Sequence, residues 1–260
     1  MKLLTLLAGL FLSFGTSAEE CNGHLEFTIK NKQSTIDQVL CSDGYAVGYS
    51  YYYKAPMWVQ YRLTKESVAP NNGRGGNPFK EDDRIPEEFR ASLWDYKYSG
   101  FDRGHMAPRA AMDETPTLRD KSFLLSNMTP QEAKLNQRGW ADLEEYVRDI
   151  ATKHEEIYVV TGALFEGVNR TIGRGIYIPS HLYKVIYIPS KEQMLAFMIP
   201  NEAFDIDDLD KMQVKPALLE RHSGLDFFQN IVNSKEKLME KTKINYCDLL
   251  GDGHLPQEAC

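Results

Sequence analysis

The chain has 260 residues, 42% of them hydrophobic and 11% aromatic, which is enough to bury a core and too apolar for a disordered or collagen-like polymer. With 37 acidic against 30 basic residues the net charge is −7, which argues against a protein that coats nucleic acid through a broad basic surface. A local cationic groove is compatible with that total, because distribution matters more than the sum.

Residues 1–18 read as a targeting segment. Lys2 supplies a positive start, residues 3–15 an apolar stretch, and Thr16-Ser17-Ala18 the small residues of a cleavage site. The run is shorter than the ~20 residues of a membrane-spanning helix. A secreted or periplasmic protein with no membrane segment is expected, the signal peptide being removed after Ala18. Loss of Lys2 takes the charge from −7 to −8. Residues 19–260 contain no Ser/Gly-rich linker or internal repeat, so they read as a single domain. Cys21, Cys41, Cys247 and Cys260 are an even set, and in an oxidising compartment they suggest two disulfides. Pairing Cys21 with Cys41 and Cys247 with Cys260 would staple the two ends of the fold, although three connectivities are open.

Residues 25–30, 46–53 and 57–64 are rich in β-branched and aromatic side chains and predict strands, with a turn at Ala55-Pro56. Residues 69–78 are a breaker-rich loop, and 85–93 predict a short helix with Pro86 in its first turn. Residues 102–105 follow Ser99-Gly100, and 123–126 predict a short buried strand. From 137 to 152 the pattern turns helical, with Trp140, Leu143, Val147 and Ile150 at three- and four-residue spacing. Four more strands are expected at 156–161, 175–178, 182–188 and 194–199, then helices over 205–221 and 227–241. Strands dominate without βαβ alternation, which predicts an α+β domain on a largely antiparallel or mixed sheet flanked by helices.

Two segments carry chemistry, FDRGHMAPRAAM at 101–112 and SNMTPQEAKLNQRGWADLE at 126–144. His105 has the side chain best suited to take a proton from water near neutral pH, with Asp102 or a nearby carbonyl placed to orient its ring. Arg103 and Arg74 offer planar donor forks that match phosphate oxygens. Asn136 offers a neutral amide oxygen and Glu144 a carboxylate, donors that suit a Mg²⁺ that keeps most of its waters. On one continuous helix the two would stand about 80° apart around the axis and about 12 Å along it. Asn136 there would hold the metal directly and Glu144 through water, although an Asn opening a helix is also a common N-cap. Asn127 and Gln131 frame a Thr-Pro turn, where turn chemistry competes with a role at the site. No G-x-S-x-G element points to serine chemistry.

Asp102-Arg-Gly-His-Met106, followed by Asn127-Met-Thr-Pro-Gln131, Leu135-Asn-Gln137, Trp140 and Leu143-Glu144, resembles the DNA/RNA non-specific endonucleases of the ββα-metal (His-Me finger) superfamily. The likeness runs from about Ala46 to Phe228. The resemblance implies a sugar-nonspecific endonuclease that hydrolyses DNA and RNA to 5′-phosphate ends by a one-metal mechanism. It implies His105 as general base, Asn136 as direct ligand of Mg²⁺ (or Mn²⁺), and Glu144 as the carboxylate on the metal's waters. Arg103 and Arg74 are implied as phosphate-binding arginines, and Asn127 and Gln131 as supports beside the substrate. The rivals are a catalytically inactive binding domain of the same fold and a phosphodiesterase for a small, non-polymeric substrate.

Overall fold

The computed structural model describes Cys21 and residues 29–31, 35–69 and 79–250. Its main sheet has seven strands: β2 (Gln38–Ser42), β3 (Tyr45–Ser50), β4 (Ala55–Thr64), β7 (Glu156–Leu164), β10 (His181–Ile188), β11 (Gln193–Pro200) and β12 (Gln213–Val214). They lie in the spatial order β12-β11-β10-β7-β4-β3-β2, and every neighbouring pair is antiparallel. Three two-stranded ribbons accompany the sheet. They are β1 (Lys30–Asn31) with β13 (Leu225–Asp226), β5 (Asp102–His105) with β6 (Met128–Gln131), and β8 (Thr171–Ile172) with β9 (Ile176–Tyr177). Helices α1 (Lys65–Val68), α2 (Leu93–Tyr96), α3 (Pro116–Lys121), α4 (Ala133–Gln137), α5 (Gly139–His154), α6 (Leu209–Met212), α7 (Pro216–Ser223) and α8 (Asn233–Lys241) complete the α+β architecture.

Both sheet faces are covered, which is why the central strands are apolar on each side. One face carries Tyr61, Val159, Ile186 and Leu195 and packs with Leu143, Val147 and Ile150 of α5. The other carries Val160, Val185 and Met194 and packs with Leu219 of α7, Phe227, Phe228 and Met239 of α8. The periodicity read for α5 holds, since Trp140, Leu143, Val147 and Ile150 are all buried. Among the described residues no helix is long and apolar enough to cross a membrane. Cys21 is bonded to Cys41 on the edge strand β2, with the Cα atoms 5.2 Å apart. Cys247 is disulfide-bonded. Its expected partner Cys260 lies outside the described residues, as do the targeting segment and most of the strand expected over 25–30.

Several local expectations are corrected. The chain turns over Tyr51 to Lys54, where Lys54 takes a φ of 51°, and Ala55-Pro56 opens β4 instead of making the turn. Residues 85–93 do not form one helix; a 3-10 turn at Glu87–Phe89 and the separate helix α2 replace it. Leu125–Asn127 is a 3-10 turn, and the strand lies one step later, in β6. Pro130 masks that strand in the sequence, yet a ribbon of two strands has open edges that tolerate a residue without an N–H. The helix expected over 205–221 is broken by β12 and Pro216, and the one over 227–241 shrinks to α8. β2 went unread although Asp43-Gly44 is a hairpin signal.

Candidate active site

β5 and β6 pair with Asp102 opposite Gln131, Arg103 opposite Pro130, Gly104 opposite Thr129 and His105 opposite Met128. Strand alternation sends Asp102 and Gly104 to one face and Arg103 and His105 to the other. On the first face a Cβ at residue 104 would stand 1.9 Å from Gln131 Oε1. Glycine there makes room for a side chain of the neighbouring strand. Asp102 Oδ2 accepts from Asn136 Nδ2 at 3.0 Å and from Gln137 Nε2 at 2.8 Å. It therefore holds α4, and the sequence-based expectation that Asp102 orients the His105 ring is corrected.

Asn136 sits inside α4 and is not its cap; Glu132 caps that helix, its carboxylate accepting from the Leu135 N–H. The junction ahead of α4 is clamped by Asn201, whose Oδ1 accepts from the Glu132 N–H and whose Nδ2 donates to the Pro130 carbonyl. With Nδ2 given to Asp102, the Asn136 amide is oriented and its Oδ1 is left for another ligand. A backbone break at Arg138, φ −129° and ψ −103°, separates α4 from α5. Asn136 and Glu144 thus stand on different helices, and the single-helix spacing does not apply.

On the second face the His105 ring lies 5.6 Å from Phe79 and 5.0 Å from Phe123, centroid to centroid. Its Nε2 is buried and has no hydrogen-bond partner among the described residues. Burial, then the charges of Arg109 and Arg103, push its pKa down to about 4, so the imidazole is neutral at neutral pH. The Arg103 guanidinium lies over the Phe79 ring at 4.3 Å, so Phe79 separates and positions both groups. Just past His105 the chain is fixed by Asn127, whose Oδ1 accepts from the Ala107 N–H at 2.8 Å while Nδ2 donates to the carbonyls of Ala107 and Ser122.

Asn127 and Gln131 are both fully buried. Asn127 bonds to the segment just past His105 and Gln131 packs beside Gly104, positions that suit supports of the strand carrying His105. Arg74 lies outside the described residues. Phe79, Phe101, Asp102, Arg103, Asn136 and Gln137 share a pocket of about 340 Å³. His105 and Glu144 do not line it, but His105 meets it through the Phe79 ring. Glu144 lies on α5 near Lys184 and Arg148. Burial pushes its carboxyl above the usual range, and those two cations pull the other way. Lys184 is fully buried, donating to Thr161 Oγ1 at 2.8 Å with its ammonium 4.6 Å from the Trp140 ring centroid.

Sequence reading missed Asn201, Phe79 and Lys184, which are distant in the chain and carry no motif spacing. Arg109 stood inside the first motif, and only its proximity to the ring reveals its effect on His105.

A family model described as DNA/RNA non-specific endonuclease matches residues 24–234. The chain is 35% identical over 214 residues to Nuclease C1 of Cunninghamella echinulata var. echinulata, covering 76% of this chain and 85% of that one. It is 31% identical over 212 residues to the mitochondrial Endonuclease G of Homo sapiens, covering 76% and 71%. A solved structure titled "Crystal structure of the EndoG/EndoGI complex: Mechanism of EndoG inhibition" superposes with a TM-score of 0.70 at 33% identity, covering 77% of this chain and 89% of that one.

Proposed function

The chain belongs to the DNA/RNA non-specific endonuclease family, and from that premise we propose that His105, Arg103 and Asn136 carry its reaction, with Glu144 and Arg74 assisting. It is a metal-dependent endonuclease that hydrolyses phosphodiester bonds of DNA and RNA. The observation that carries the residue assignment is the Asp102–Asn136 hydrogen bond, which ties an oriented amide to the strand that bears Arg103 and a neutral imidazole.

Neutral His105 takes a proton from a water aligned with the phosphorus. Arg103 balances charge on the phosphoryl oxygens, and Arg74, which precedes Phe79 in the sequence, would assist it. Asn136 Oδ1 and, through water, Glu144 would hold the cation. Among the described residues no trio of His, Cys, Asp or Glu ligands forms at this site. That donor set fits a hard, mostly hydrated ion such as Mg²⁺. When bound, such an ion supplies positive charge at the phosphoryl and departing oxygens. The oxygen of that water bonds to phosphorus as the bond to the 3′-oxygen breaks, and the 3′-oxygen takes a proton from solvent, leaving 5′-phosphate and 3′-hydroxyl ends. The apolar stretch after Lys2 and the Cys21–Cys41 bond favour an exported enzyme, since disulfides persist in oxidising compartments.

Supercoiled plasmid and total RNA, incubated with the protein and Mg²⁺, test the reading. We expect degradation of both, its loss in EDTA, and a rate lower by about 10²–10⁴-fold for His105→Ala. Nicking by His105→Ala at the wild-type rate would remove His105 from the reaction.

A further inference from the structure

Ahead of the catalytic strand lies a surface that the hydrolytic chemistry does not use. Trp94 is 75% exposed and Tyr98 95% exposed, while the other two tryptophans, Trp58 and Trp140, are buried. Single exposed apolar side chains need no explanation, but two exposed aromatic rings grouped around one cation form the kind of patch that marks an interaction site. The ammonium of Lys97 sits 4.4 Å from the Trp94 ring and 5.2 Å from the Tyr98 ring, so a cation is held beside both faces.

The frame beneath these rings is rigid. Asp95, between them and buried, accepts from the N–H and hydroxyl of Ser92 at 2.8 Å and from the Arg174 N–H at 2.8 Å. Gly173, at φ +48°, lets the β8–β9 hairpin close on this turn, since a Cβ there would lie 2.3 Å from Asp95 Cα. Tyr98 itself takes a φ of 58°, a left-handed conformation that costs a non-glycine residue energy and turns its ring outward. The same segment runs directly into the pocket, because Tyr96 and Phe101 line it together with Arg103 and Asn136.

We propose that Trp94, Lys97 and Tyr98 form a stacking platform for unpaired bases of a single-stranded nucleic acid whose backbone continues into the Arg103–Asn136 pocket. The proposal rests on the nuclease reading of that pocket. Stacking suits an acidic protein: ring–base contact needs no net positive charge, is indifferent to sequence, and leaves only the flanking phosphate for Lys97. Paired bases expose no faces along a duplex, so the platform selects single strands.

The test compares kcat/KM on oligo(dT) and on the same oligonucleotide annealed to oligo(dA), for the full chain and for Trp94→Ala/Tyr98→Ala. Both residues are exposed, so the fold is expected to survive, and Leu238→Ala on α8, also exposed, is the control. We expect the single-strand to duplex ratio to fall about 10-fold or more in the double variant through KM, and to stay at the wild-type value in the control. In EDTA, where no cleavage occurs, oligo(dT) should quench tryptophan fluorescence in wild type and in His105→Ala, and should not do so in Trp94→Phe. An unchanged ratio, an equal fall on both substrates, or quenching that persists in Trp94→Phe overturns the platform. So does a concentration-dependent dimer that the double variant loses with the ratio unchanged, which would assign the surface to a second copy. A wild-type protein that quenches but cleaves neither substrate would sink the nuclease reading and leave the platform standing.

Discussion

At position 104 a methyl group would meet the buried Gln131 side chain at 1.9 Å, inside the pair of strands that sets out Arg103 and His105. Gly104→Ala must therefore push Gln131 aside or part the strands, and we expect a loss of about 1–3 kcal/mol in urea unfolding together with weaker nicking. Adding Gln131→Ala should restore part of both; no recovery would show that the strand backbone itself rejects the methyl. His105 offers a second outcome at this scale. Its imidazole must be neutral to act as a base, and burial with Arg109 and Arg103 holds its pKa near 4. Protonation then disables it only at low pH. The acidic limb of kcat/KM, which reports groups of the free enzyme, should lie clearly below the 6.5 of an ordinary histidine. A limb at 6.5 or above would mean that the ring is solvated in the working enzyme.

The elements around the site are joined by buried polar contacts. Asp82 links two of them: its carboxylate receives Arg84 through Nε at 2.8 Å and Nη2 at 2.7 Å, and Ser126 Oγ at 2.6 Å. Ser126 lies in the 3-10 turn whose next residue, Asn127, clamps Ala107. Burial alone would raise the Asp82 pKa, but the Arg84 and Ser126 hydrogen bonds outweigh it and hold the carboxyl below its usual value. Because the folded pKa is the lower one, this contribution is fully present above the unfolded value near 3.9 and fades as pH falls through the folded value. Asp82→Asn should cost about 1–3 kcal/mol at pH 7, and the deficit should shrink toward acid pH in urea unfolding. A deficit constant with pH would place the effect in packing instead of charge.

Across the whole molecule, Cys21–Cys41 ties residue 21 to the outer strand β2 across a separation of 20 residues. Cys21→Ser/Cys41→Ser should lower unfolding free energy by roughly 2–4 kcal/mol, with the nuclease site retaining activity below the new midpoint; unchanged stability would mean that the loop is already ordered without the bond. Hydrophobic periodicity made α5 and the strands β4, β7, β10 and β11 legible, because a half-buried helix or covered strand must repeat its apolar residues to reach the core. The DRGH and N-M-T-P-Q segments pointed to the proposed catalytic region by residue type and by the family resemblance they carry. Local pattern failed where the chain's course depends on distant neighbours: the break at Arg138, the turn at Lys54 and the Pro-containing strand β6 are each selected by what packs against them. The same holds for roles. Sequence identified His105, Asn136 and Glu144 as chemically able groups, but only the fold gave Asp102 to Asn136, buried Asn127 and Gln131, and set Arg109 and Phe79 around the imidazole. Chemical capacity belongs to a side chain and can be read from its identity, whereas orientation and pKa arise from contacts between residues far apart in the chain.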